Sequence, residues 1–520
     1  MKFKRPFFFT FLLLIFSYQI SALEFSARLL PAYGITFSDE FDSALGGTLS
    51  LDFSTFNLRK RDEVYFSLQA SPFFLSAEGL DRMKVYDFDF AAGYNYRISD
   101  RLSASLEGYG GIWFFPEDSD LELESTSGIS LGARLSGNFY ISPTLKASLF
   151  TGYKSYYTKP ENFFSTLELG LGISINLTKV LSSSTGIAID NYETESIFPI
   201  FYARYDENSF GQVSFTNIEK TDITDIEVSV FIEQFMSAPK VIASYDRIKP
   251  GENFDAKLTA FFNEGILSQL QNKTSEAELT VTYKNLGSTT TFRQTLPLQT
   301  LTRNSMSWKD DRQAAAFISA KDGAAERFAR QITLALKDTI GQKAAPNHTY
   351  AKAVYEVLKS YGINYVLDPS SVFSTSDVES IDFLQFPYQT LLYYGGDCDD
   401  LSILNCSMLE ALGVSTALIT IPGHIYMAYD SGVSKAEAER IFGSGKFVHQ
   451  NGKNWIPLEI TVPQDSFDLA MTLGIRQWNK YPKERLLLPV EEAWKEYKPV
   501  TVPGSDISVP FPSRAVKKFN

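Results

Sequence analysis

The chain has 520 residues, a net charge of -13, two cysteines and three histidines. With no basic stripe to offset the acids, a nucleic-acid partner is not expected. So few Cys and His residues do not make a zinc centre, and neither a cofactor nor a metal is expected.

Residues 1–22 read as a secretory signal. "MKFKRP" is basic, "FFFTFLLLIF" is apolar but too short to span a membrane as a helix, and "SYQISA" ends in a small residue. An exported protein of about three domains is expected.

Residues 23–178 repeat one pattern: strictly alternating apolar and polar residues in runs near 23–35, 44–56, 64–76, 85–98, 102–115, 128–141, 145–157 and 165–177. In the last run Leu167, Leu169, Leu171, Ile173 and Ile175 share a face. The polar faces carry Glu24, Arg28, Asp52, Asp87, Arg97, Glu107, Arg134 and Glu168, charges of both signs that can pair in a narrow lumen. Aromatic residues at 73–74, 113–115 and 156–157 suit interfacial girdles. Tight turns at 99–101 and 142–144 alternate with longer links at 76–84 and 116–126. A soluble β-domain with one solvated face is the alternative. The pattern resembles the small eight-stranded outer-membrane barrels of Gram-negative bacteria. That resemblance implies contact with outer-membrane lipid, with the rest of the chain in the periplasm. Eight strands leave an interior filled by side chains, so a pore is not expected.

Residues 179–195 read as a linker. Residues 196–303 show short strands and a "KPGE" turn, the pattern of an immunoglobulin-like β-sandwich of about 100 residues serving as a spacer or contact module. Residues 304–500 start with helical patterns, "DRQAAAFISAKDGAAERFARQITLAL" and "YAKAVYEVLKSYGI", and continue into strands with a "QNGK" hairpin turn, an α+β layout. Residues 501–520 form a C-terminal tail.

Both cysteines lie in "GGDCDDLSILNCSMLEALG". The spacing of Leu401, Leu404, Met408 and Leu412 predicts a helix that Gly413 stops. Cys398 and Cys406 would then be about 12 Å apart at 1.5 Å per residue, out of reach of a disulfide. Cys398 at the helix start is expected to have a lowered pKa and amides nearby to receive an oxyanion. Gly395 and Gly396 would let the backbone turn sharply. Cys406 reads as core. Asp397, Asp399 and Asp400 lack the spacing of a calcium loop and are expected to cap the helix and stay solvated. A thiol nucleophile needs a base and an orienting acid. His424 in "PGHIYMAY" and Glu459 in "WIPLEIT" can supply them from neighbouring strands, whereas His348 and His449 lie in polar loop or hairpin contexts.

Together "GGDCDDLSIL", "PGHIYMAY" and "WIPLEIT" resemble the transglutaminase-like cysteine peptidase superfamily, with a papain-like core, over roughly 350–465. The resemblance implies Cys398 as nucleophile, His424 as base and Glu459 as orienter, where the superfamily often has Asp. Gln389 is the upstream candidate for an oxyanion side chain. The function expected is acyl transfer or amide hydrolysis through a Cys398 thioester, on protein or peptide substrates that include peptidoglycan-linked peptides. The alternative is a catalytically inactive binding scaffold tethered to the envelope.

Overall fold

The computed structural model describes residues 24–56, 62–76, 83–117, 125–158, 161–181, 186–367 and 380–516. The signal-peptide segment lies outside the described residues. Each of the eight alternating runs holds one strand: β1 Glu24–Phe37, β2 Ser43–Phe56, β3 Glu63–Ser76, β4 Met83–Arg97, β5 Leu102–Phe115, β6 Thr126–Tyr140, β7 Leu145–Thr158 and β8 Glu161–Asn176. Each pairs antiparallel with the next, and β1 pairs with β8, for example Ala27 with Ile175, so the barrel is closed.

Alternation sets the two surfaces apart. Leu49, Leu106, Leu131, Leu169 and Leu171 face outward and are exposed, while Arg28, Asp87, Glu107 and Arg134 are buried inside. The lumen charges pair as their signs allow. Arg28 meets Asp52 at 3.1 Å and Glu107 at 2.7 Å, and Glu107 also takes Arg134 at 2.9 Å. Lys154 is bound by both Asp87 and Asp89. Inside the barrel these ions have lost their water, so each depends on its partners.

The expected aromatic girdles are only half right. Phe74 and Phe114 do face outward, but their neighbours Phe73, Trp113 and Tyr156 are buried in the lumen. Successive residues of a strand point to opposite faces, so an adjacent aromatic pair must divide between them. The inward rings form a plug at the end of the barrel away from the chain's exit, with Tyr156 stacked on Phe164 at 4.3 Å and Trp113 on Phe163 at 5.5 Å.

At the other mouth the chain leaves through a short helix, Leu177–Leu181. The 179–195 stretch expected as a linker also contains a strand, β9 Ile187–Thr194, paired with β10 Gly211–Asn217. Only Ile187 and Ile189 pack inward from β9, too few for the period to show in sequence. Strands β11 Ile223–Phe231, β12 Lys240–Ile248, β13 Asn253–Lys257, β14 Lys273–Asn285 and β15 Ser288–Thr300 complete two antiparallel sheets, ordered β13-β10-β9 and β12-β11-β14-β15. Val213, Phe215 and Phe254 of one sheet share a core with Val228, Leu279 and Val281 of the other.

This two-sheet unit is docked on the barrel mouth. Lys220 reaches between Glu63, at 2.7 Å, and Glu24, at 3.3 Å. Arg101 donates to the Leu286 carbonyl at 2.8 Å, and Lys179 pairs with Glu219 at 2.5 Å. A polar cavity of about 560 Å³ lies between the lumen ions and this cap.

The same hydrophobic core runs on into the C-terminal region. There β16 Ser305–Ser307 pairs with β18 Ile381–Phe383, and a two-residue strand, β17 Asn364–Tyr365, runs parallel to β19 Gly395–Gly396. An antiparallel sheet, β22-β23-β21-β20-β24, follows, formed by β20 Thr416–Ile421, β21 His424–Asp430, β22 Val448–Gln450, β23 Lys453–Leu458 and β24 Leu486–Pro489. The β22–β23 hairpin turns through Asn451 and Gly452, both with positive φ, as "QNGK" predicts. The Cys398–Ala411 helix packs on one face of this sheet and against the Gly323–Leu336 and Pro346–Tyr361 helices. Up to Leu409 it is buried all round, with Ile403, Cys406 and Leu409 inside as well as Leu401, Leu404 and Met408 of the predicted stripe, while Leu412 is half-buried. Residues 501–516 fold back onto the Gly323–Leu336 helix, where Phe511 meets Phe328 at 5.4 Å.

Glu107 is the shared partner of two buried arginines. Glu107→Ala should therefore destabilise the barrel by about 3–5 kcal/mol. Heat-modifiable migration on a denaturing gel measures this: the folded form should disappear at a lower temperature than in wild type, and an unchanged transition would refute the ionic role.

Candidate functional site

The site forms where one strand stops short. Pairing of β21 with β23 runs from Asp430 to Met427, which faces Leu458, and goes no further. On the other side β20 and β21 form a hairpin closed by Ile421 opposite His424. In an antiparallel ladder the next pair, Thr420 with Ile425, points its N–H groups outward. The Ile425 N–H therefore faces the gap that β23 leaves. The Cys398 sulfur occupies that gap, with the amides of Ile425 and Asp399 directed at it.

Glu459, the first residue beyond β23, comes into the same gap. His424 Nε2 lies 2.8 Å from Glu459 Oε2. Glu459 Oε1 accepts from the Thr461 hydroxyl at 2.7 Å and its amide at 3.2 Å. Burial alone would raise this carboxyl, but the His424 and Thr461 bonds outweigh it and hold it below the usual range. The imidazole stacks on Tyr426, 5.6 Å between centroids and 14° between planes. With Nε2 committed to Glu459, Nδ1 is the ring nitrogen left for another partner. Among the described residues no hydrogen bond yet joins that imidazole to the sulfur.

His348 and His449 are placed elsewhere. His348 Nδ1 meets the Tyr429 hydroxyl at 2.7 Å among aromatic rings, and His449 Nδ1 meets Asn454 Oδ1 at 2.7 Å. Cys406 is fully buried in the core, and both cysteines are free. Gln389 is buried, with its Oε1 taking the Phe386 amide at 2.9 Å and the Asn304 amide at 2.7 Å. The Phe386 cap and the Asn304 side chain thus engage the acceptor oxygen, whereas meeting an oxyanion would fall to the Nε2 donor.

Three expectations about the helix start are overturned. Neither Gly395 nor Gly396 adopts a positive φ; the left-handed residue is Tyr394, at φ 59°. The glycines are needed for close approach instead. A Cβ on Gly395 would lie 2.7 Å from the Asn364 carbonyl oxygen, and one on Gly396 would lie 2.4 Å from Asp400 Cβ. Asp397, Asp399 and Asp400 are not solvated but buried. Asp400 accepts the Gln385 amide at 2.7 Å and the Asp397 amide at 3.3 Å, so it does cap the helix. Finally, the Cys398 thiol is not acidified. Burial, then the Asp399 and Asp397 carboxylates, push it up, and the amides of Ile425 and Asp399 only partly offset them.

The oxygens of Asp397, Asp399 and Asp400 lie within 4.8 Å of one another, close enough to share a proton or to hold a cation between them. Burial and the neighbouring Asp397 raise the Asp399 carboxyl well above its ordinary value. Burial, Asp397 and Asp382 push Asp400 up to about 8.

One site residue was missed. Tyr365 on β17 stands opposite Gly396, and its phenol is pushed up to about 12 by burial and by Cys398, Asp397, Glu459 and Asp399. A two-residue strand carries no periodicity, so nothing in "INYVL" marked it.

No family model matches the chain, and no curated protein matches it. Solved structures similar to it include neisserial surface protein A, at 14% identity and TM-score 0.25, over 30% of this chain and 98% of that one. Ail of Yersinia pestis is similar at 17% identity and TM-score 0.22, over 29% and 99% of the two chains. The N-terminal β-barrel domain of Pseudomonas aeruginosa OprF is similar at 14% identity and TM-score 0.20, over 29% and 96%.

Without a bound cation, the acid cluster makes stability depend on pH. A carboxyl raised from about 4 when unfolded binds more protons folded than unfolded. Stability of the region around the site should then fall as pH rises from about 4 towards 8, by at most about 1.4 kcal/mol per pH unit for one group. Asp399→Asn should flatten that slope. Urea unfolding at pH 5.5 and 8 in EDTA measures it, and an equal slope in the variant would count against the repulsion.

Proposed function

We propose that the protein is an outer-membrane-anchored thiol enzyme acting in the periplasm. It attacks an amide carbonyl through Cys398, passes the leaving group its proton from His424, and resolves the thioester with water or an amine. The observation that carries this reading is the convergence in one gap of the Cys398 sulfur, held against the Ile425 amide, with His424 bonded to Glu459 at 2.8 Å. A nucleophile, a base and an acid that orients the base are what acyl transfer requires. The C-terminal region is read as transglutaminase-like and the two-sheet unit as immunoglobulin-like, on the motifs and strand patterns of the sequence.

The membrane reading is supported by the inverted barrel: apolar residues outward, paired ions and packed rings inward. No described helix is long and apolar enough to cross a membrane. An even number of strands returns the chain to the side it entered from, which supports a periplasmic thiol with protein chains and peptidoglycan-linked peptides as the amides at hand. A scaffold that only binds such chains is the second reading, favoured by the raised thiol pKa.

Cells carrying Cys398→Ala should accumulate uncleaved, or lose cross-linked, envelope proteins relative to wild type. Comparison of the two envelope proteomes decides between enzyme and scaffold: identical proteomes favour the scaffold. Glu459→Gln, which removes the charge that fixes the imidazole, should slow turnover by about 10²- to 10⁴-fold. A rate within twofold of wild type would remove Glu459 from the mechanism.

A further inference from the structure

When a thiolate attacks a carbonyl, the π electron pair moves onto oxygen, and that oxygen must be met by hydrogen-bond donors. The amides at the start of the Cys398–Ala411 helix were the expected donors, yet most are engaged. Asp397 N is bound to Asp400 Oδ2 at 3.3 Å, Asp400 N to Asp399 Oδ1 at 2.7 Å, and Leu401 N to the Asp397 carbonyl at 3.1 Å. The Asp399 amide faces the sulfur, as does that of Ile425. Among the described residues this leaves the Cys398 N–H as the donor of that turn, and a single donor makes a weak oxyanion site.

Tyr365 is placed to supply another. The β17–β19 register sets it opposite Gly396, two residues before the nucleophile, and Val366 N fixes the pairing by donating to the Gly396 carbonyl at 2.9 Å. The electrostatic influence of Cys398 and Asp397 at the helix start and of Glu459 beyond β23 reaches its phenol. The register places the residue beside the turn that leads into the Cys398–Ala411 helix. The residue is 39% exposed, so the ring borders the approach from solvent and does not sit in the core. Partial burial, then the nearby thiol and carboxylates, keep the phenol protonated, and hence a donor, through the neutral range.

We propose that Tyr365 is the side-chain donor of this site, its phenol O–H bonding the carbonyl oxygen of the acyl group while the Cys398 N–H provides the other bond. This rests on the thiol-enzyme reading and assigns to Tyr365 the role that the sequence suggested for Gln389.

Two probes separate the possibilities, applied to the full chain folded in detergent. Iodoacetamide reacts by displacement at a saturated carbon: a sulfur–carbon bond forms, iodide leaves, and no oxyanion develops. With p-nitrophenyl acetate the sulfur attacks the carbonyl carbon, the oxygen takes up the electron pair, and p-nitrophenolate leaves as the acetyl thioester forms. The thiol proton passes to His424 and then to solvent. Tyr365→Phe keeps the ring and removes only the hydroxyl. It should alkylate Cys398 at the wild-type rate but acylate it about 10²- to 10³-fold more slowly. Wild-type acylation in the variant overturns the assignment and leaves the thiol reading standing. Equal loss of both reactions also overturns it, because the hydroxyl would then act on the sulfur. If wild-type Cys398 neither alkylates faster than Cys406 nor acylates, the thiol reading itself fails.

Discussion

The Asp400 carboxylate holds two backbone amides at once, Gln385 through one oxygen and Asp397 through the other. This ties the segment leading to Pro387 to the start of the Cys398–Ala411 helix and fixes which residue begins that helix. A shift of one residue would rotate Cys398 by about 100° and carry its sulfur away from the Ile425 amide. The glycines at 395 and 396 are there because side chains at either position would collide with Asn364 or with Asp400 itself. The arrangement has a cost. It gathers three carboxyl groups beside a thiol in a dry interior, and the thiol is pushed away from ionisation. A thiol in such a setting stays protonated until a proton acceptor is brought to bear on it.

The barrel was the most legible part of the sequence. Its period of two is long, regular and enforced on both faces, so strand positions and the facing of Leu169 or Arg134 follow from alternation alone. The same alternation puts Phe73, Trp113 and Tyr156 on the inner face with Gln69, Glu107 and Lys154, so these rings form a plug, and only partners such as Phe74 and Phe114 are left for a girdle. The docking of the two-sheet unit was invisible. It depends on Lys220, in a turn, meeting Glu24 and Glu63 from strands far away in sequence.

At the site, the residue types were legible and their environment was not. Cys398, His424 and Glu459 stand in short motifs with turn and helix signals close by, and the structure brings His424 and Glu459 into contact. The burial of Asp397, Asp399 and Asp400 depends on helices and sheet packing from every side, which no local pattern records. The acidity expected from a helix start was therefore reversed. Tyr365 escaped notice because its position depends on a two-residue parallel bridge, the least visible pairing in a sequence.

Lys220 in the barrel mouth has a consequence for geometry. The two-sheet unit is pinned to the barrel, and its core continues without a break to the thiol. If the barrel sits in the outer membrane as proposed, the nucleophile is held at one height beneath the inner leaflet, like a tool on a fixed stand. Such a reagent selects by reach: a segment tethered at a matching depth meets it at high local concentration, while the same sequence displaced by a few nanometres seldom does. Depth in the envelope, as much as side-chain identity, would then decide which amide is cut or joined.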